Sequence, residues 1–504
     1  MSFFPLYLIL SAFGGSVAFG LSFLNKRLGS YILCASLLAG SIWGFFLVTS
    51  LEDSIIINLS QGGGFLSYSL AVTPIVLTAS VFIYTIAFLL SLSLIRRRIR
   101  FEYFFIYGVI IFACNSMLFL ADLFSIFVMI QIFAIGVMLL SLFQNFRAGS
   151  RGGYKYCINA GLIFVIMLGA IALIYSSLGT LNIASLSTAP SLNKFFGFLV
   201  GAGVLIGLFF KTALFPFNAW VPDLYRGVRS HLSATLASLS TLVGVILIAR
   251  IVFTAMHPES AFGYAFNSIN FLMFSVSIVS VFVGEFAALN SPDIKKMLAY
   301  STVGQLGLIV LAVALAMNLI DKPVSQPVLF AALFLLIVHS IAKPMMYLIA
   351  GFFIKSSGKS RWDEMRGIGF AYPFLAGAFI IGGFALMGVP LFAGFWGKFG
   401  LIYYLFDGDN IAKLGLIIVI FTSIIEGVYF MRAGHSFFEK GDTEFIRKPV
   451  LNYWLIVFSI GVMLSVLIII GIFPAPFSEM LNRFALEVFD FSAYTELILS
   501  GGGL

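Results

Sequence analysis

Long apolar runs, broken by short polar ones, fill almost the whole chain. They fall at roughly 2–23, 31–49, 75–95, 103–120, 123–143, 159–178, 195–214, 231–253, 268–289, 297–319, 327–353, 372–404, 412–431 and 451–472. Each is near the ~20 residues that a helix needs to cross hydrocarbon. Barrel strands would instead alternate apolar and polar residues over roughly ten positions. The pattern therefore predicts an all-α integral membrane protein of about fourteen spans. The first run, Ser2 to Phe23, has no basic leader and no small-residue cleavage site, so it reads as a retained span. The longest polar stretches are 50–70, 354–370 and 433–450, and the first holds Gly62-Gly63-Gly64, which predicts a short hairpin on the outer face. The tail after Phe473 predicts a short amphipathic helix on the outer surface rather than a long lateral one.

Proline marks where the helices should be irregular. The runs at 327–353 and 372–404 exceed a normal span and contain Pro344, Pro373 and Pro390, and the seventh runs into Leu214-Phe215-Pro216-Phe217. Proline lacks the amide that closes a helical turn and clashes with the preceding one. Breaks or kinks are predicted at Pro216, Pro344 and Pro390.

Composition supports the membrane reading. The 504 residues are 61% hydrophobic and 10% charged, against about 25% charged in a soluble domain. The net charge of +8 could suggest nucleic acid, but its distribution says otherwise. Of 29 Lys and Arg, 21 fall in loops after odd-numbered spans, 4 in the other loops and 4 within spans. Basic loops favour the cytoplasm, so the skew predicts a cell-membrane protein with both termini outside and no nucleic-acid partner. Cys34, Cys114 and Cys157 form no C-x-x-C, so no iron–sulfur, zinc or other cofactor is expected in this chain. There is no nucleotide loop and no nucleophile constellation, which leaves little room for an enzyme active site.

Ionisable residues at bilayer depth are costly and point to function. Lys211 precedes the Pro216 break, so a wet or protein-lined cavity is expected beside it; a lysine snorkelling from a helix end is the alternative. His339 and Lys343, four residues apart, share one helix face and could pass a proton between them, or form a structural pair in the core. Lys398 closes the second broken span, where it could also snorkel. Glu426 lies mid-span as a proton carrier, a lysine's partner or a neutral buried acid. Glu285 and Arg250 lie nearer span ends and are expected at the interface.

At these residues the chain resembles the antiporter-like subunits shared by Mrp-type cation/proton antiporters, respiratory complex I and membrane-bound hydrogenases or sulfur reductases. K-T-A-L-F-P-F-N-A-W-V-P-D-L-Y from Lys211 to Tyr225 is similar to that family's seventh-span lysine and broken helix. D-I-K-K-M-L-A-Y-S-T-V-G-Q-L from Asp293 resembles its tenth-span entry, H-S-I-A-K from His339 its eleventh span, and Gly388 to Lys398 its twelfth-span break. The resemblance covers roughly residues 100–435. It implies two inverted five-helix repeats, spans 4–8 and 9–13, within segments 1–100, 101–255, 266–435 and 436–504. It further implies a hydrated mid-membrane axis in which Lys211 is a proton switch, His339 and Lys343 link the halves, and Lys398 lies near the exit.

Two positions depart from the family. Gln131 falls where a fifth-span glutamate pairs with the seventh-span lysine, and Leu242 where an eighth-span lysine is usual. Ser240 and Thr241 could hold water there, but hydroxyls do not titrate usefully. The expected function is proton or cation translocation, chiefly through the second half, as one subunit of a redox-driven or Mrp-type complex. Implied partners are other integral membrane subunits, iron–sulfur redox subunits where the complex is redox-driven, lipid, and protons or sodium ions. A structural or coupling subunit with degenerate pumping is the alternative, and an independent solute transporter a third reading.

Overall fold

The computed structural model describes residues 4–51, 54–58, 69–95, 99–143, 147–440 and 452–489. Among them, thirteen helices are long and apolar enough to cross a membrane, and each lies on a predicted run. The remaining run, the twelfth, is broken into Pro373–Met387 and Ala393–Phe406. The chain is thus an all-α multi-pass membrane protein with thirteen candidate spans and a broken twelfth run. Its one described sheet is the hairpin of Ile55–Asn58 and Ser69–Val72, antiparallel with Ile55 opposite Val72. The Gly62-Gly63-Gly64 of the expected turn lies outside the described residues.

The loops sort into two sets. Lys155 pairs with Asp223, Arg226 with Asp293, and Arg366 with Glu439, at 2.9, 2.9 and 3.2 Å. All of these follow odd-numbered spans. On the other side Ala121 N–H donates to Ser69 O, Leu192 N–H to Ala261 O, and Lys322 pairs with Asp409. These follow even-numbered spans. A missing or extra crossing would have mixed the sets.

Spans 8, 10 and 11 form the centre. Their most apolar windows are 100%, 94% and 89% buried, against 28% for span 2 and 39% for span 6. Any charge on the central spans must therefore be satisfied inside the protein. Spans 9 and 10 approach most closely through glycine: a Cβ on Gly284 would lie 2.2 Å from Gly304 N.

Three expectations need correction. Span 6 is the helix Arg147–Leu178, starting well before the apolar run, because Gly152 lets its polar first turns pack on the backbone of Leu224. Pro344 does not break its span: Ser325–Ser357 is one continuous helix. The proline leaves the carbonyl four residues back, on Ser340, without its helical donor, and Ser238 Oγ donates to that oxygen at 2.6 Å. With the orphan satisfied, the helix runs through. Finally, Pro474–Phe489 is a helix, but it is not only a surface element. Its Leu481 and Ala485 are buried, and Phe477 meets Phe334 of span 11 edge-on.

Candidate functional site

The break in span 7 follows Lys211, the last residue of the helix Lys194–Lys211. Ala213 takes a left-handed φ of 60° and Phe215–Pro216 is cis. The Phe215 N–H, freed from the helix, donates to Ser280 Oγ of span 9 at 2.9 Å. Lys211 is buried, and its Nζ has no hydrogen-bond partner among the described residues. It sits 4.0 Å from the centre of the Phe133 ring, a cation–π contact. No hydrogen bond joins it to Gln131. Leu242 is fully buried among apolar neighbours. Thr241 Oγ1 donates to Ala237 O and Ser238 O of its own helix, both at 3.0 Å, and Ser240 is buried beside it. Among the described residues, Lys211 therefore has no countercharge bonded to it.

Span 8 is locally under-wound. Leu236–Ser240 forms a π-helical turn between Ser230–Thr235 and Thr241–Ala255. Such turns are frequent at functional sites. Here two of its groups meet span 11: Ser238 bonds Ser340 O, and His339 Nε2 donates to Ala237 O at 3.1 Å. His339 thus faces the first half. Lys343, one turn on, faces the second: its Nζ donates to Ser301 Oγ at 2.7 Å and to Leu298 O at 3.4 Å. The two side chains are thus bonded to different neighbours, His339 to span 8 and Lys343 to span 10.

The second break lies between Met387 and Ala393. Gly388 and Leu391 have φ of 80° and 76°, and Pro390 stands between them. Pro390 leaves the Leu386 carbonyl without a helical donor, and Gln305 Nε2 of span 10 donates to it at 3.3 Å. The Lys398 stem passes over Gly388, where a Cβ would lie 2.9 Å from Lys398 Cδ. Its Nζ ends 2.6 Å from Glu426 Oε2, with both side chains buried. Gln305 Nε2 also donates to Glu426 Oε1. Lys398 does not snorkel, and Glu426 is its partner.

Glu285 and Arg250 lie near span ends, as expected, but both are buried within the protein. Arg250 donates from Nη1 to Leu118 O and Leu120 O, both at 3.0 Å. It caps the carbonyl end of span 4, where a cation is favoured. Glu285 is fully buried and accepts from Tyr429 Oη at 3.1 Å. Tyr429 Oη in turn lies 2.7 Å from Ser301 Oγ. Reasoning from charge alone missed Ser301, Gln305, Tyr429 and Ser238. A helical-spacing signal was present: Ser301 and Gln305 are four apart, and Glu426 and Tyr429 three apart, so each pair shares a face.

A cavity of about 480 Å³, lined in part by Arg226, His231, Asp293, Lys295 and Lys355, lies among the loops of the odd-numbered set. Lys295 Nζ donates there to Val228 O at 2.5 Å. Among the described residues no group of three or more His, Cys, Asp or Glu could hold a metal ion.

A profile of the family described as NADH:quinone oxidoreductase/Mrp antiporter, transmembrane, matches residues 121–426. An NADH-quinone oxidoreductase subunit N 1 from Herpetosiphon aurantiacus is 30% identical over 404 residues, covering 76% of this chain and 77% of that one. A subunit of an Na(+)/H(+) antiporter from Alkalihalophilus pseudofirmus is 24% identical over 431 residues, covering 85% and 84%. A chain of the membrane-bound sulfane sulfur reductase, an archaeal respiratory membrane complex, superposes with a TM-score of 0.87 at 25% identity, over 98% of this chain and 99% of that one.

Proposed function

This chain belongs to the NADH:quinone oxidoreductase/Mrp antiporter transmembrane family, and on that footing we propose that it moves protons through its second half as one subunit of a larger membrane complex. One observation carries the proposal. Lys398, Glu426, Lys343 and Glu285 are four ionisable groups deep inside the protein, held by Gln305, Ser301 and Tyr429 on neighbouring spans. A fold needing only stability would have no use for them, because replacing a buried ion pair by apolar residues is often neutral or stabilising. Lysine and histidine favour protons over sodium, since they repel cations when charged. Spans 4–8 and 9–13 would be the inverted repeats, and the breaks after Lys211 and before Lys398 fall in the fourth helix of each. Broken helices at matching places mark ion sites in transporters.

The basic, odd-numbered loops would face the cytoplasm, with the cavity beside Lys295 as a watery approach and both termini outside the cell membrane. Partners would be other integral membrane subunits, and iron–sulfur subunits where electron transfer drives the complex. Lys211 and Gln131 favour a second reading for the first half alone: with no countercharge bonded to Lys211, that half acts as scaffold or coupling element. The test is Lys343→Ala and Lys398→Ala in the complex isolated with mild detergent and reconstituted in vesicles. Loss of the proton gradient with assembly intact supports translocation. An unchanged gradient supports the structural role.

A further inference from the structure

Among the described residues, Glu285 makes no hydrogen bond to the Lys398–Glu426 pair, yet it ends an unbroken line of polar atoms. Lys343 Nζ is 2.7 Å from Ser301 Oγ, Ser301 Oγ is 2.7 Å from Tyr429 Oη, and Tyr429 Oη is 3.1 Å from Glu285 Oε2. All four residues are buried. The two intermediates are hydroxyls, which can each accept one hydrogen bond while donating another. The line also has a direction across the membrane. Glu285 lies four residues before the end of the helix Phe266–Leu289, roughly 6 Å of axial rise from the odd-numbered loops. Lys343 lies fourteen residues before Ser357, roughly 21 Å from the same side. The side chains close most of that offset, so the line itself covers three hydrogen-bond lengths, under a third of the ~30 Å hydrocarbon thickness.

Room has been made for this carboxyl group. A Cβ on Gly304 would lie 2.1 Å from Glu285 Oε1, so a side chain there would displace it. Oε1 is itself buried and has no hydrogen-bond partner among the described residues. That orphaned oxygen is the one feature of the line which a purely structural role for Glu285 leaves unexplained.

We propose that Glu285 is a proton donor and acceptor on the odd-loop side of the second half, and that the hydroxyls of Tyr429 and Ser301 carry the proton between it and Lys343. The step begins with Glu285 as a carboxylic acid and Lys343 as a neutral amine. Glu285 donates to Tyr429, Tyr429 to Ser301 and Ser301 to Lys343. Three O–H bonds break while two new O–H bonds and one N–H bond form. Glu285 ends as a carboxylate and Lys343 as an ammonium, both hydroxyls stay neutral, and every hydrogen bond in the line reverses. The line returns when Lys343 has passed its proton on, Glu285 has taken another, and the two hydroxyls have rotated. A hydroxyl relay passes protons and excludes sodium.

This inference rests on the second half moving protons, and the test separates the two. Tyr429→Phe, Ser301→Ala and Ser301→Thr are compared with Lys398→Ala in the reconstituted complex, with proton flux read by a trapped pH-sensitive dye. Tyr429→Phe and Ser301→Ala should lower flux about tenfold or more, while Ser301→Thr keeps the hydroxyl and should retain most of it. Infrared difference spectra of the full chain give a readout that packing alone would not move. A carboxylic-acid band that titrates with pH, absent in Glu285→Gln, should shift in Tyr429→Phe. Wild-type flux in Tyr429→Phe and Ser301→Ala, alongside lost flux in Lys398→Ala, overturns the relay and leaves the proposed function standing. Wild-type flux in all of them overturns both. A Ser301→Thr variant as impaired as Ser301→Ala, or a Glu285→Gln variant that keeps the titrating band, also refutes the relay.

Discussion

Breaking the Lys398–Glu426 pair should be far more damaging than deleting it. At 2.6 Å two unit charges attract by about 6 kcal/mol at an effective dielectric of 20. Removing each ion from water costs several kcal/mol, and the Gln305 bond to Glu426 returns roughly 1.5–3 kcal/mol as a hydrogen bond to a charged group. These opposing contributions nearly cancel, so the intact pair adds little net stability. Lys398→Met leaves a buried carboxylate without its countercharge and should destabilise by about 3–5 kcal/mol. Glu426→Met strands an ammonium at similar cost. The double variant removes both charges and should return close to the wild-type value. Unfolding the purified chain by titrating a denaturing detergent into mild micelles, followed by tryptophan fluorescence, measures all three. In vesicles the double variant should be stable yet inactive in proton flux, which parts function from folding. If the double variant is as unstable as the summed singles, the two charges are not coupled and the electrostatic reading of the site is wrong.

Two further outcomes follow from partners seen at the centre. Ser238→Ala strips the Ser340 carbonyl of its donor and should cost about 1–3 kcal/mol; adding Pro344→Ala restores a backbone amide able to take that oxygen, and most of the loss should return in the same titration. Lys211→Met should cost at most about 2 kcal/mol, the worth of its buried contact with the Phe133 ring, because Nζ has no hydrogen-bond partner among the described residues to lose. A larger loss would reveal a partner for Lys211, and a fall in proton flux would show that the first half conducts.

The spans were legible because a bilayer demands one simple property, an apolar length, and fourteen runs supplied it. Which loops share a side was legible too, since the loop charges sorted as the loop contacts do. The sites were half legible. A charge inside an apolar run stands out, so Lys211, His339, Lys343, Lys398 and Glu426 could be named from the sequence. Ser301, Gln305 and Tyr429 could not, because hydroxyls and amides are common in membrane helices and their meaning depends on what they face. The burial of Glu285 was not legible for a related reason: the sequence places it four residues from a helix end, but the close approach at Gly284 and Gly304 buries that end between helices. Pro344 was misjudged because the sequence shows an orphaned carbonyl but not the Ser238 hydroxyl that serves it from another span.

Proline placement and proton chemistry meet at one residue in the second half. Pro390 orphans the Leu386 carbonyl at the break in span 12, and the donor that satisfies it is the Gln305 amide. The same nitrogen donates to Glu426, the partner of Lys398. Any rotation of span 12 at residues 388–392 that moves Leu386 must stretch one of the two bonds Gln305 makes. Because Glu426 and Gln305 are buried, the cost of a lost bond falls on the break or on the carboxylate. The conformation of the backbone and the charge state of Glu426 are therefore tied through one side chain. The corresponding break in span 7 has no such tie: its freed amide goes to Ser280, while Lys211 lies against a phenyl ring. The two breaks differ in this coupling, which is the physical reason to place ion movement in the second half.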